Sequence, residues 1–359
     1  MTLGGGLKLV LIGDGESPHL LKWARALQPR VQLHAISSRG FLPEFNQLLP
    51  DARRLALNTA PDHAGGNVAL VKMLPKVGAW LADTDADWLH AHYLTSHGSL
   101  AWAAKLGWRL RARIAGSAWG SDILVTPHQG GAWRWMTKKV LRSCAVTTSD
   151  SQHMAERMRE LGAGEVMVFP FGLEAMPKQN ANKQPWLCFA NRGLEPIYRP
   201  QRVIDAFVRI AAAQPEARLV VANDGSLRAS LEADVAARRL GDRISFVGRL
   251  DTAAQASHYA RSTWFLSLPE SDSVSVSVLE AMAHGCVPLL SDLPANREVI
   301  GDSARGLIVG SLDDLPARMA ALDTAKLAVV NRDWVAVNGM FEPHVQRFLT
   351  RLKELTPLK

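Results

Sequence analysis

The stretch Trp264-Phe-Leu-Ser267-Leu-Pro-Glu-Ser-Asp272-Ser-Val-Ser275-Val-Ser277-Val-Leu-Glu280-Ala-Met-Ala-His-Gly285-Cys-Val287-Pro-Leu-Leu290 decides the fold. Its ends, Trp264–Ser267 and Val287–Leu290, are apolar runs of strand length, and Val278–His284 between them reads as a helix. Strand, helix and strand in so short a span make a βαβ unit, the building block of a parallel sheet. A serine-rich loop leads into the helix, whose unpaired first N–H groups and dipole suit an anion; a diphosphate is the obvious guest. Glu280 projects from the first turn, where it can accept hydrogen bonds from two vicinal hydroxyls, as on a ribose. Asp272, at the loop's start, can do the same for a sugar. Ser277-Val-Leu-Glu280 also has the spacing of a capping box, in which serine and glutamate satisfy backbone donors reciprocally. A structural cap costs about 1 kcal/mol when lost. A ligand contact costs nucleotide affinity with the fold intact. The residues of this segment alone leave both readings open.

The same alternation extends outward over the whole chain. In the first half, Leu7–Ile12, Val31–Ser37, Trp88–His92, Arg113–Ser117 and Ala145–Thr148 read as strands, and Ser17-Pro18 opens a helix over His19–Leu27. Val166–Val168 runs into Phe169-Pro-Phe-Gly172, and the polar stretch Pro177–Pro185 reads as the linker. The pattern restarts with strand Trp186–Ala190, helix Gln201–Ala213, strand Arg218–Ala222, helix Leu227–Leu240 and strand Ile244–Val247. The expectation is an α/β protein of two Rossmann-like parallel-sheet domains, 1–172 and 173–340, facing each other across a cleft, with a helical segment 341–359 packing back on the first. Gly4-Gly5-Gly6 precedes the first strand and so reads as a tail, since a phosphate-binding loop follows a strand.

Composition agrees with that architecture. The 359 residues are 47% hydrophobic and 21% charged, an ordinary globular balance. No apolar run approaches the roughly 18 residues that span a bilayer, and Leu9–Ile12 is too short for a secretory signal. Cys144, Cys188 and Cys286 have no paired spacing, which argues against a disulfide framework or zinc site and fits a reducing compartment. The net charge is +7, and residues 1–172 hold 19 Lys/Arg against 13 Asp/Glu, a surplus of +6. In 133–142, Arg134, Lys138 and Arg142 share a helical stripe beside Trp133 and Trp135, a pattern used by helices that lie on anionic membranes. Nucleic acid is a rival partner for such charge, but no nucleic-acid-binding signature is present.

In order and spacing these motifs resemble the retaining glycosyltransferases of family four, which have the two-domain GT-B fold. Their signature sets two acids eight positions apart before an E-A-M-A-x-G helix, here Asp272 and Glu280, then Ala281-Met-Ala-His-Gly285. Asn191-Arg192-Gly193 with Tyr198-Arg199 is similar to the G-R…K element whose cations hold the donor diphosphate. Ala222-Asn-Asp224-Gly225 resembles the G-D-G turn, and Phe246-Val247-Gly-Arg249 the strand end at the nucleobase. His90-Ala-His92-Tyr93 and Trp119-Gly-Ser121-Asp122 resemble the H-x-H and H-G-x-D elements beside the acceptor. The resemblance implies catalysis by Arg192, Arg199, Asp122, Asp272 and Glu280. It implies donor contacts from Asp224, Gly225, Val247, Arg249, Ser273, Val274, Ser275, Val276, Ser277 and Glu280, and acceptor contacts from His92, Trp119, Ser121 and Asp122.

Several positions depart from the family pattern. Asp272 stands for the usual glutamate, Ser273 and Ser275 for glycines, Tyr198 for a lysine, leaving Arg199 as the second cation, and Trp119 for a histidine. The implied reaction moves a sugar from a UDP- or GDP-type donor to a hydroxyl acceptor with retention, without metal or other cofactor. The implied setting is bacterial cell-surface polysaccharide or glycolipid assembly, lipopolysaccharide included, at the cytoplasmic face of the membrane. Asp83-Thr84-Asp85 has metal-site spacing but reads as a turn. His284 reads as structural and His19 as a surface residue. Glu298 reads as a helix-capping or interdomain acid. The alternative is a sugar-nucleotide-binding protein of the same fold that has lost the reaction.

Overall fold

Thirteen strands, counted among the described residues, pair into two separate sheets in which every neighbouring pair is parallel. The structure is a computed structural model and describes residues 6–59, 68–178 and 182–357; Gly4, Gly5 and part of the linker stretch 177–185 lie outside them. The chain divides into two compact units, Met1–Phe169 with Glu342–Lys359, and Pro170–Phe341.

In the first unit the strands are β1 (Lys8–Gly15), β2 (Gln32–Phe41), β3 (Arg54–Ala56), β4 (Trp88–His92), β5 (Arg113–Ser117), β6 (Cys144–Ser149) and β7 (Val166–Val168). Their order is β3-β2-β1-β4-β5-β6-β7. The second unit has β8 (Gln184–Ala190), β9 (Arg218–Ala222), β10 (Ile244–Gly248), β11 (Ser262–Ser267), β12 (Val287–Ser291) and β13 (Leu307–Val309), in the order β10-β9-β8-β11-β12-β13. Both orders are the doubly wound Rossmann arrangement. The strand order reverses between β1 and β4 in one unit and between β8 and β11 in the other, so ligands are expected at the loops leaving the carboxyl ends of those strands.

The apolar runs follow from burial on both faces of each sheet. Along β8, Cys188 joins a core with Trp264, Leu266 and Phe207, while Phe189 joins a second with Phe265, Leu279 and Leu290. In the first unit, Val10, Ile12, Leu89 and Ile114 share a core with Leu81, Ala104 and Val140. The helix Phe341–Leu355 buries Val345, Phe348 and Leu352 completely. Phe348 packs against Trp23 (5.3 Å between rings) and His90 (4.7 Å) of the first unit.

The sequence placed the strand centres well and the element ends less well. Ser17 caps the helix Pro18–Leu27, its side chain accepting from His19 N. By contrast, the helix expected from Val278 begins at Val276, with Ser275 as its N-cap and no side-chain cap bond. Ser277 therefore lies inside the first turn, and the capping-box reading of Ser277 and Glu280 falls. Gln184 and Pro185, assigned to the linker, open β8 instead; proline is tolerated at a strand's first residues because no ladder donor is lost there. Asp83 and Thr84 end the helix Leu74–Thr84, and only Asp85 takes a left-handed cap.

Candidate functional site

At the switch point of the second unit the chain leaves β8 through Asn191-Arg192-Gly193 and leaves β11 through Leu268–Ser275. The two loops meet in one guanidinium. Arg192 Nη2 donates to Asp272 Oδ2 at 2.6 Å and Nη1 to Ser275 Oγ at 2.8 Å, while its Cζ lies 4.5 Å from the Tyr198 ring centroid. Ser275 Oγ is 2.8 Å from Ser277 Oγ. Ser273, Val274 and Ser275 are buried, and Val276 and Ser277 begin the helix, whose first amides have no intrahelical acceptor. A cation, two hydroxyls and a helix start thus share one corner, an arrangement that suits a phosphate group.

Arg199 reaches the same loop through a different acid. It sits in the left-handed region (φ 46°) ahead of the helix Pro200–Ala213, and its half-exposed side chain pairs with Glu270 at 3.1 Å. The expected second cation is therefore held by Glu270, in the loop that also carries Asp272, and the position of the family's lysine is filled by Tyr198, whose ring lies under Arg192.

Glu280 rises from the first turn and a half of its helix. Its Oε2 accepts from Tyr259 Oη and from Gln255 Nε2, both at 3.0 Å. Tyr259 Oη in turn accepts from Asn191 Nδ2 at 2.8 Å. Burial, and then the charge of Glu280, hold the Tyr259 phenol well above its ordinary range, so it stays protonated and donates. Sequence reasoning missed Tyr259 and Gln255: on the helix Thr252–Arg261 a tyrosine reads as one more core aromatic.

The other expected donor residues line neighbouring turns. Asp224 is exposed and lies 3.6 Å from Arg228, and Arg249 is exposed as well. Gly225 passes so close to Leu194 that a Cβ there would stand 2.5 Å from its carbonyl oxygen, so no larger residue fits. Val247 is 37% exposed at the end of β10, and Gly248, which follows it, has φ 71°.

In the first unit, His92 ends β4 and is 4% exposed. Its ring packs near Trp23 (5.4 Å), His90 (4.3 Å) and Trp119 (5.7 Å), and neither ring nitrogen has a hydrogen-bond partner among the described residues. Burial, then the neighbouring histidines, keep it neutral by pushing its pKa well below the ordinary value. Trp119 also sits 4.9 Å from His19, so His19 belongs to this cluster through its ring. Ser121 Oγ is 2.7 Å from Tyr93 Oη, and Tyr93 itself holds φ 70°, a strained backbone of the kind that collects at functional loops.

Asp122 has a different place from the one expected. It is wholly buried, and its two oxygens accept from Leu94 N (2.8 Å) and Trp119 N (2.9 Å). It ties the loop after β4 to the loop after β5 and anchors the groups around it instead of facing a substrate. Desolvation outweighs those bonds and raises its pKa to about 6. His97, which sequence patterns did not single out, works alongside: Nδ1 is 2.7 Å from the His92 carbonyl and Nε2 2.9 Å from Ser38 Oγ. Among the described residues no group of three or more His, Cys, Asp or Glu side chains is placed to hold a metal ion.

Known proteins match this chain along nearly its whole length. A family model described as "Glycosyl transferase 4-like domain" matches residues 14–172, and one described as "Glycosyl transferases group 1" matches residues 173–322. Phosphatidyl-myo-inositol mannosyltransferase of Mycobacterium tuberculosis (strain CDC 1551 / Oshkosh) is 26% identical over 344 residues, 90% of this chain and 85% of that one. N-acetyl-alpha-D-glucosaminyl L-malate synthase of Bacillus anthracis is 24% identical over 211 residues, 55% of each chain. Among solved structures, sucrose-phosphate synthase from Thermosynechococcus elongatus superposes with a TM-score of 0.79 at 16% identity, covering 97% of this chain and 99% of that one. Anabaena Alr3699/HepE in complex with UDP and glucose gives 0.75 at 15%, covering 96% and 99%. These structural likenesses bear on the fold, which is GT-B. The two family models meet at Gly172, and between them they take in every motif quoted from the sequence: the chain belongs to glycosyltransferase family four and is a glycosyltransferase.

Proposed function

We propose that the enzyme moves a sugar from a nucleoside diphosphate sugar to a hydroxyl acceptor, with retention at the anomeric carbon and without a metal. The observation that carries this reading is the corner where Arg192 meets Asp272 and Ser275 beside the start of the helix Val276–Ala283. There the diphosphate is held by Arg192 and the first-turn amides, Glu280 takes the ribose hydroxyls, and Asp272 faces the transferred sugar. As the anomeric carbon–oxygen bond breaks, negative charge grows on the leaving diphosphate, and preorganised donors stabilise it. A new bond forms from the acceptor oxygen to the same carbon, and the acceptor's proton passes to a diphosphate oxygen, so no protein nucleophile is required. Arg192 supplies the side-chain cation at this corner, with Arg199, paired to Glu270 of the same loop, as the second.

The donor class is supported by a structural neighbour that binds UDP and glucose and by a relative that transfers mannose. His92, Trp119, Ser121 and the loops pinned by Asp122 form the acceptor side. That relative acts on phosphatidyl-myo-inositol, which favours a lipid-borne acceptor in glycolipid or cell-surface polysaccharide assembly. No helix among the described residues is long and apolar enough to cross a membrane, so such an acceptor is reached by surface contact through the helix Gly131–Ser143. Its Trp135 is 53% exposed, with Lys139 5.7 Å from the ring.

The test is Arg192→Ala with a panel of UDP, GDP, ADP and their common sugars. One nucleotide should stabilise the wild type, by about 2.7 kcal/mol at 100 times its dissociation constant. The variant should lose that shift and slow transfer by about 10²–10³-fold, with its own melting temperature within a few degrees. Chelator should leave the wild-type rate unchanged. Wild-type turnover in the variant would sink the phosphate assignment.

A further inference from the structure

We propose that Tyr259, set in direction by Asn191, is the positioning residue that orients Glu280 toward the ribose of the donor; this rests on the donor reading above and deepens it. Gripping two vicinal hydroxyls requires a carboxylate whose plane is fixed, because a freely rotating one meets both only part of the time. Two donors converge on a single oxygen of Glu280, Tyr259 Oη and Gln255 Nε2 onto Oε2. Asn191 Nδ2 occupies the tyrosine oxygen from the other side, so the hydroxyl proton has one direction to take, toward Glu280.

The tyrosine itself does not wander. It is 1% exposed, with its ring edge-on to Phe189 at 5.1 Å and stacked on His284 at 5.6 Å. Three elements contribute to this chain of bonds: the end of β8, the helix Thr252–Arg261 and the helix Val276–Ala283. Asn191 also stands beside Arg192, so the residue that starts the chain is bonded directly to the one assigned to the diphosphate. The two grips on the donor are thereby referred to the same strand end.

The experiment compares a nucleotide with its 2′-deoxy form. UDP, GDP and ADP are titrated calorimetrically into the enzyme, and the one that binds is paired with its 2′-deoxy counterpart. Wild type should prefer the ribose form by at least about tenfold, since a hydrogen bond to a charged group is among the stronger ones. In Tyr259→Phe, which keeps the ring, that preference should fall below about threefold, the ribose form weakening and the deoxy form holding. Donor KM should rise while kcat stays within a few-fold. Asn191→Ala should move the preference in the same direction by less, and it decides alone if the phenylalanine variant does not fold. Glu280→Gln is the reference. If Glu280→Gln loses the preference and Tyr259→Phe keeps it, tyrosine is only a core residue and the proposal is overturned. If Glu280→Gln itself keeps the preference, the ribose assignment of Glu280 fails first and takes this proposal with it.

Discussion

Arg192 spends its guanidinium on three partners of different kinds: a carboxylate, a hydroxyl and an aromatic face. A lysine supplies one point charge and cannot make this fork. The pair with Asp272 gives a prediction with a definite sign. Asp272→Asn removes the negative charge beside Arg192, so nucleoside diphosphate affinity should stay the same or tighten while sugar transfer falls by about 10²-fold or more. Calorimetry beside a transfer assay checks this, and weaker diphosphate binding would count against it. His90 gives a second prediction. Burial depresses its pKa to about 3, whereas an unfolded histidine titrates near 6.5. As pH falls below about 6.5, only the unfolded chain takes up that proton, so stability declines by up to about 1.4 kcal/mol per pH unit. Asp122 runs the other way: with its pKa raised to about 6, its contribution improves as pH falls from about 6 toward the unfolded value. Melting temperatures between pH 7.5 and 5 should therefore fall in the wild type and fall less steeply in His90→Gln. An equal slope in both would show that His90 is not the group that resists protonation. Arg192, Asp272 and Ser275 were legible in sequence because each belongs to a motif with its own spacing. Tyr259, Gln255 and His97 were not, because their importance lies in bonds between segments distant along the chain, which no local periodicity records.

Among the elements, those read correctly are the ones whose signal is burial on both sides. Trp88–His92, Arg113–Ser117 and Arg218–Ala222 match the observed strands residue for residue. The start of the helix Val276–Ala283 was misread by two residues, because Ser275 and Ser277 are equally good caps by composition. Backbone angles alone separate them: Ser275 is extended, at φ −71° and ψ 129°. The C-terminal helix also carries a prediction at this scale. Phe348 and Leu352 are wholly buried, and Arg351 holds Glu165 through Nη2 at 2.7 Å. Truncation after Phe341 should expose the Trp23 and His90 surface and leave residues 1–169 aggregating or unfolded. Phe348→Ala in the full chain should cost about 3–5 kcal/mol. Residues 170–341, expressed alone, should give a cooperative melt, because both faces of that sheet are covered from within. Chemical denaturation of the three chains tests all of this together, and a stably folded 1–169 would refute it.

For the whole molecule the informative quantity is charge by unit. The unit made of residues 1–169 and 342–359 carries 23 Lys/Arg against 15 Asp/Glu, net +8, and residues 170–341 carry 18 against 19, net −1. The asymmetry is sharper than a cut at residue 172 suggests, since the segment 342–359 adds four basic residues and two acids. Near the switch point of the first unit the charges are mixed: Asp14 lies 3.4 Å from Arg39, and Glu16 Oε1 accepts from Gly40 N. The helix Gly131–Ser143 presents Arg134, Trp135, Lys139 and Arg142 as exposed residues, and the neighbouring helix Ser99–Gly107 adds Leu106 at 61% exposure, with Trp102 6.5 Å from Trp135. Lys138, expected in the same stripe, is half-buried and contributes less. Vesicles with anionic lipid should sediment the enzyme at low salt, and raising the salt should release it as screening shortens the reach of the charges. Neutral vesicles should not bind. Trp135→Ala with Lys139→Ala and Arg142→Ala should abolish sedimentation while leaving nucleotide binding in the second unit intact. Sedimentation unchanged by the triple substitution would place the contact elsewhere on the basic unit.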